Sequence, residues 1–272
     1  MQWDKVKNIL LVILLVVNGF LLGSLILRQA GTDMQQQALL EDIRVVLRQY
    51  GVECGKGLRI PAQRGMLALE IDRSRTAEEA FARAVLEGTV ERVEREDGET
   101  VFTGGNGSVS WRPDGTVNAV FRQEGAVVPG SARGMEKSAS ELLAACGVTL
   151  KGSKVEADLE AGEAVLTATV GGLPVFNRRL TVSWQGEGQT AVAGQWSFGT
   201  PYATTADRER LCSAEAALLQ VARGETGQGK VGRIDTIELG YRMDAGAGAR
   251  LLLSPFWRVE TDRGTGFVDA LK

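Results

Sequence analysis

Three runs decide the fold: Thr100-Val101-Phe102-Thr103, Ser108-Val109-Ser110-Trp111-Arg112 and Thr116-Val117-Asn118-Ala119-Val120-Phe121-Arg122. Between them lie Gly104-Gly105-Asn106-Gly107 and Pro113-Asp114-Gly115. Apolar and polar residues alternate with period two within each run, and each break carries the glycine, asparagine or proline that a tight reversal needs. Thr89 to Arg95, followed by Glu96-Asp97-Gly98, adds one more strand in front. The expectation is an antiparallel meander. Upstream the period changes, because Thr76 to Glu87 opens on Thr-Ala-Glu-Glu and stops before Gly88, which reads as a helix. Helix then meander defines an α+β class, with helices packed on antiparallel sheets.

Reading outward, Asp33 to Gly51 places Leu39, Leu40, Ile43, Val46 and Leu47 at helical spacing with Asp33 as N-cap, and Met66 to Ile71 suits a short strand. Periodicity fails between Gln123 and Arg133, where turn residues gather. The chain is therefore expected to hold a first subdomain over 28–123, a linker over 124–133 and a second subdomain over 134–272. The second opens with a helix from Met135 to Cys146 ending at Gly147-Val148, as the earlier helix ends at Gly51-Val52. Strands are expected at Lys154 to Glu160, Glu163 to Val170, Pro174 to Phe176, Arg179 to Trp184 and Val192 to Ser197. A helix follows over Ser213 to Arg223, led into by Thr204 to Arg210. The closing strands are Arg233 to Met243, Arg250 to Leu253, Phe256 to Thr261 and Gly266 to Ala270. The two openings are alike enough to suggest tandem subdomains from an old duplication, and coincidence is an equal reading.

The N-terminus adds a different element. An uncharged run from Ile9 to Leu27 would reach roughly 28 Å as a helix, about the hydrocarbon thickness of a bilayer. Lys5 and Lys7 precede it, which favours a cytoplasmic N-terminus over 1–8, a transmembrane helix over 9–27 and an extracytoplasmic remainder. A cleaved signal peptide is the competing reading; the run is long for one and lacks a small-x-small site after it. The localisation expected is a single-pass protein of the cell membrane.

Composition narrows function. A chain with 44% hydrophobic and 24% charged residues can bury a core, and a net charge of -3 with mixed signs gives no basic stripe for nucleic acid. Histidine is absent, which removes the commonest general base and metal ligand. Lys137-Ser138 and Ser153-Lys154 are merely adjacent, so no nucleophile and base can be paired, and the chain is read as non-catalytic, with no cofactor. Glu156, Asp158 and Glu160 share a strand face without any calcium-loop pattern and read as a solvated surface; no metal is implied. Gly104 to Gly107 and Gly246-Ala247-Gly248 lack the lysine of a phosphate loop and read as hairpin turns. Cys54, Cys146 and Cys212 allow at most one disulfide, and the latter two sit in apolar helical contexts typical of a small buried hydrophobe.

Several segments resemble the YycH/YycI regulatory proteins, and the YycI type in particular. They are Trp3-Asp4-Lys5-Val6-Lys7-Asn8-Ile9 with the run behind it, Gly172-Leu173-Pro174-Val175-Phe176-Asn177, Ile237-Glu238-Leu239-Gly240-Tyr241, and Leu253-Ser254-Pro255-Phe256-Trp257-Arg258-Val259 with Gly266-Phe267-Val268-Asp269-Ala270. The likeness covers the N-terminal run and the C-terminal half. Pro255-Phe256-Trp257 stands where the family has Pro-Val-Trp, and Asp269-Ala270 where it has Asn-Ala. The resemblance implies a PepSY-like α+β extracytoplasmic part and a regulator of a WalK/YycG-type sensor histidine kinase in cell-wall homeostasis. It also implies a YycH-like sister as a further partner. The other function expected from such a module is capture of a peptide, protease or cell-wall component.

Two contact regions are expected. Asn18, Gly19, Gly23 and Ser24 would let a partner helix approach within the membrane, since Gly19 and Gly23 form a Gly-x-x-x-Gly pair and Asn18 is costly against lipid. Pro255, Phe256 and Trp257 offer either an ectodomain docking platform or core packing. Alternation puts Phe256 and Arg258 on one face and Trp257 and Val259 on the other, which favours burial of one aromatic.

Overall fold

The computed structural model describes residues 18, 38–61, 65–123, 128–185, 188–203, 211–246 and 250–271. Its architecture is α+β, with helices and a large sheet of mixed pairing. Contacts divide the chain into two compact units that do not follow sequence order. One holds Met1–Pro61, Ala214–Ile237 and Val259–Gly266; the other holds Ala62–Ser213, Glu238–Arg258 and Phe267–Lys272. The boundary expected at 124–133 falls inside the second unit. Residues 124–127 lie outside the described residues, and Ser131 caps a helix that starts earlier than expected, with its side chain accepting from Gly134 N–H.

In the first unit, helix α1 (38–49) buries Ile43 and Leu47, and α4 (Ala214–Ala222) buries Ala217, Leu218 and Val221. A two-residue strand β1 (Glu53–Cys54), which the sequence did not advertise, pairs parallel with the start of β12 (Arg233–Ala245). The expected N-cap Asp33 lies outside the described residues. At the end of α1, Gly51 takes φ +76, and Gly51 N–H and Val52 N–H donate to the carbonyls of Arg48 and Leu47. Helix α3 (Ala132–Ala145) of the other unit ends identically: Gly147 has φ +79, and Gly147 and Val148 donate to Ala144 and Leu143. Only glycine enters that left-handed position without strain, and the buried valine that follows packs back on the helix.

The second unit is built from two copies of one arrangement. Helix α2 (Arg75–Val85) is followed by β3 (Glu91–Glu94), β4 (Thr100–Gly104), β5 (Gly107–Trp111) and β6 (Thr116–Arg122). Helix α3 (Ala132–Ala145) is followed by β7 (Lys154–Asp158), β8 (Glu163–Val170), β9 (Leu173–Trp184) and β10 (Gln189–Gln195). The last strands of the two meanders, β6 and β10, pair antiparallel, which gives the symmetric order β3-β4-β5-β6-β10-β9-β8-β7. Phe102, Val109, Ala119, Val192, Val182 and Ala164 stand opposite one another in successive ladders and are all buried. This row is the apolar face that the helices cover. Phe81 of α2 meets Trp111 edge-on at 5.5 Å, while α3 packs over β7 and β8 with Met135, Ala139 and Leu143 buried.

Further strands extend this unit beyond β9: β2 (Leu69–Asp72), β11 (Tyr202–Ala203), the second half of β12, and most of β13 (Arg250–Thr261), with β14 (Gly264–Asp269) paired to β13. Two strand pairs expected as separate are single strands. Arg250 to Thr261 runs through Pro255, which lies beyond the last β2 partner, Leu253, and whose carbonyl accepts from Ala270 N–H at 3.1 Å. Leu173 to Trp184 is likewise continuous, through the irregularity described next. Cys212 stands just before α4, as the expected helix over Ser213 to Arg223 has it, and all three cysteines are unpaired thiols.

Candidate functional site

The second meander departs from the first at one place. Thr167 of β8 pairs with Arg179 of β9 while Thr169 pairs with Pro174, so Ala168 alone stands against Val175, Phe176, Asn177 and Arg178. A bulge of this kind bends the strand and frees its residues from the ladder. The freed residues reach β12. Val175 pairs with Tyr241, and beyond that single parallel pair the Asn177 carboxamide takes over the role of backbone: its Nδ2 donates to the Met243 carbonyl at 2.6 Å and its Oδ1 accepts from Met243 N–H at 2.7 Å. Nδ2 also donates to Gln195 Oε1 at 2.8 Å. Gly240 permits the junction, since a Cβ there would lie 2.6 Å from the Phe176 ring and 2.6 Å from the Pro174 carbonyl oxygen.

The bulge also changes which residues share a face. Pro174 and Arg179, five apart, both face the same side, and between them and the β12–β13 ribbon opens a cleft of about 280 Å3. Its floor is Pro174 and Phe176. One wall is Lys154, Glu156 and Thr167; the other is Glu238 and Arg258. Lys154 Nζ lies 2.7 Å from Glu156, and Arg258 Nη2 lies 2.6 Å from Glu238. The Arg258 guanidinium sits 5.0 Å over the Phe176 ring. Phe176 touches Phe267 at 5.7 Å, and Arg242 lies over both Phe267 and Phe256. Arg179 is exposed, and no carboxylate pairs with it among the described residues.

Next to it, Arg178 is the buried counterpart. Its guanidinium stacks 4.7 Å from the Trp196 ring, donates to the Ser197 carbonyl and reaches Gly199 O at 3.4 Å. Burial without an acidic partner pushes its pKa down to about 10. Arg178 thus pins the chain leaving β10, while Arg179 faces the cleft.

The expected contact residues separate clearly. Trp257 is fully buried and its Nε1 donates to the Cys212 carbonyl at 3.1 Å; Pro255 is buried; Phe256 is half-buried and presents its ring to Arg242. Glu156 and Asp158 lie on the exposed side of β7, and Asp158 accepts from Glu160 N–H and Ala161 N–H in the turn. Of the membrane contact set, Asn18 is helical and exposed, while Gly19, Gly23 and Ser24 lie outside the described residues, as does the rest of the run 9–27. Among the described residues no helix is long and apolar enough to cross a membrane. What sequence reading missed is the convergence: Pro174 and Phe176, Glu238, and Arg258 come from three separate motifs and line one cleft, with Gly240 lying against the Phe176 ring. Lys154, Thr167 and Arg179 carried no signal of their own.

No family model matches the chain, and no curated protein sequence matches it. Among solved structures it is similar to a protein from Eubacterium rectale ATCC 33656 described as uncharacterized, at 12% identity and a TM-score of 0.49, covering 81% of this chain and 88% of that one. It is also similar to YycH from Bacillus subtilis, at 13% identity and a TM-score of 0.47, covering 79% of this chain and 55% of that one. At these identities and scores no family or partner follows from either likeness.

Proposed function

We propose that the chain is a non-catalytic regulator, anchored in the cell membrane by 9–27 with its folded part extracytoplasmic, that adjusts a two-component sensor histidine kinase by protein contact. The observation that carries the reading is that residues from three motif segments line one open cleft: Pro174 and Phe176 from 172–177, Glu238 from 237–241 and Arg258 from 253–259. These are the segments on which the resemblance to YycH/YycI proteins rests. Regulation requires that the chain bind one signalling state of the kinase better than the other. Gly19 and Gly23 supply a helix contact in the membrane, and the cleft supplies a contact outside it. The test is in-membrane cysteine crosslinking at positions across Ile9 to Leu27, with Cys54, Cys146 and Cys212 replaced. A sensor kinase captured from the Gly19/Gly23 side is the expected result; no kinase from any position removes the helix contact from the proposal.

The cleft itself favours a second reading, an envelope binding module that captures a peptide, a protease or a cell-wall component without a kinase. The two differ in their need for the anchor. A chain lacking 1–27 that keeps full activity supports the binding module.

A further inference from the structure

Lys154, Thr167 and Arg179 form one rung across three neighbouring strands, since Lys154 pairs with Thr167 and Thr167 with Arg179. Strands lie about 4.8 Å apart, so the two cations are separated by roughly 10 Å at the backbone with a hydroxyl between them. We propose that this rung seats a carboxylate of an extended acidic peptide segment, with the neighbouring apolar side chain resting on Pro174 and Phe176. The inference builds on the proposed function, in which that segment belongs to the protein partner.

Charge selects the ligand class. The lining carries Lys154, Arg179 and Arg258 against Glu156 and Glu238, an excess of one positive charge (3 − 2 = 1). Two of the cations are already neutralised by short pairs to Glu156 and Glu238, which leaves the planar Arg179 fork to accept a monoanion. A phosphate dianion would meet the two glutamates with half its charge uncompensated. The Arg258 guanidinium, stacked on Phe176 and tied to Glu238, holds the far wall in place and keeps the floor apolar at its centre. The volume of about 280 Å3 accommodates one or two side chains rather than a folded surface, which suits a peptide segment lying across the strands.

The test uses the full chain in nanodiscs and fluorescent peptides: acetyl-Ala-Glu-Leu-Glu-Ala-amide, its glutamine counterpart and its lysine counterpart. The acidic peptide is expected to bind about 10-fold more tightly than the glutamine peptide, a difference of roughly 1.4 kcal/mol, and to weaken with salt. Arg179→Glu should remove that preference and favour the lysine peptide, and Arg179→Gln should fall between. Arg179 is exposed and holds no structural ion pair, so both variants keep the fold, which circular dichroism verifies. Equal binding of acidic and glutamine peptides, or a preference unchanged in Arg179→Glu, overturns the inference. The kinase output of the same Arg179→Glu cells is read separately. Acidic binding lost without any change in output leaves the site standing and removes the kinase from the proposed function.

Discussion

The two meanders of the second unit share an order and an apolar face but differ in their strands. From β3 to β6 every pairing runs residue for residue, and the Gly105-Asn106 turn is latched down. Glu87 N–H donates to Asn106 Oδ1 at 2.8 Å, and Asn106 Nδ2 donates to the carbonyls of Val85 and Arg122 at 3.0 and 2.8 Å. From β7 to β10 the ladder is interrupted at Ala168, and the surplus residues of β9 cross to β12. Regular pairing leaves the ladders of the first meander unbroken. The interruption gives the second an open cleft, so the candidate site lies where the twin arrangement is broken.

The largest effect expected from breaking this difference is at Asn177. Asn177→Leu leaves the partly buried Met243 N–H and C=O without partners, and each such group costs about 1–3 kcal/mol. Denaturant unfolding followed by tryptophan fluorescence should show a loss of about 3 kcal/mol, together with loss of acidic-peptide binding. A small loss would mean that the junction is held by Val175 and Tyr241 alone. Asn106→Ala acts on the other meander and comes second, at about 2 kcal/mol for three hydrogen bonds to partly exposed groups. It should leave peptide binding intact; loss of binding there would refute the assignment of the site to the second meander. Glu238→Gln is the smallest. Its pair with Arg258 is 33% and 44% exposed at the two side chains, so stability should move by less than about 0.5 kcal/mol while the cleft gains positive charge and binds the acidic peptide more tightly.

Most strands were legible because both meanders alternate with period two: Glu163 to Val170 and Thr116 to Arg122 match β8 and β6 residue for residue. The Gly-Val helix endings were legible too, since glycine at a left-handed cap is a local requirement. The sequence break between Phe176 and Arg179 marked the bulge but could not be distinguished from a loop, because a bulge is defined by the partner strand, not by the bulged one. The same blindness hid β1 and β11, two residues each and held by distant partners. Unit membership was hidden for a different reason: the changes of unit at 237/238, 258/259 and 266/267 fall inside β12, β13 and β14, where no break in strand periodicity marks them. The cleft inherits all of this. Its residues come from β7, β8, β9, β12 and β13, and only the registers place them together.

The most direct test places a photoreactive side chain at Thr167 of β8 and, separately, at Thr103 of β4, the exposed position on the corresponding strand of the first meander, in the full chain in living cells. The account predicts capture of a sensor histidine kinase from Thr167, none from Thr103, and loss of the Thr167 product when Arg179→Glu is added. Equal capture from both positions, or no kinase from Thr167, would contradict it.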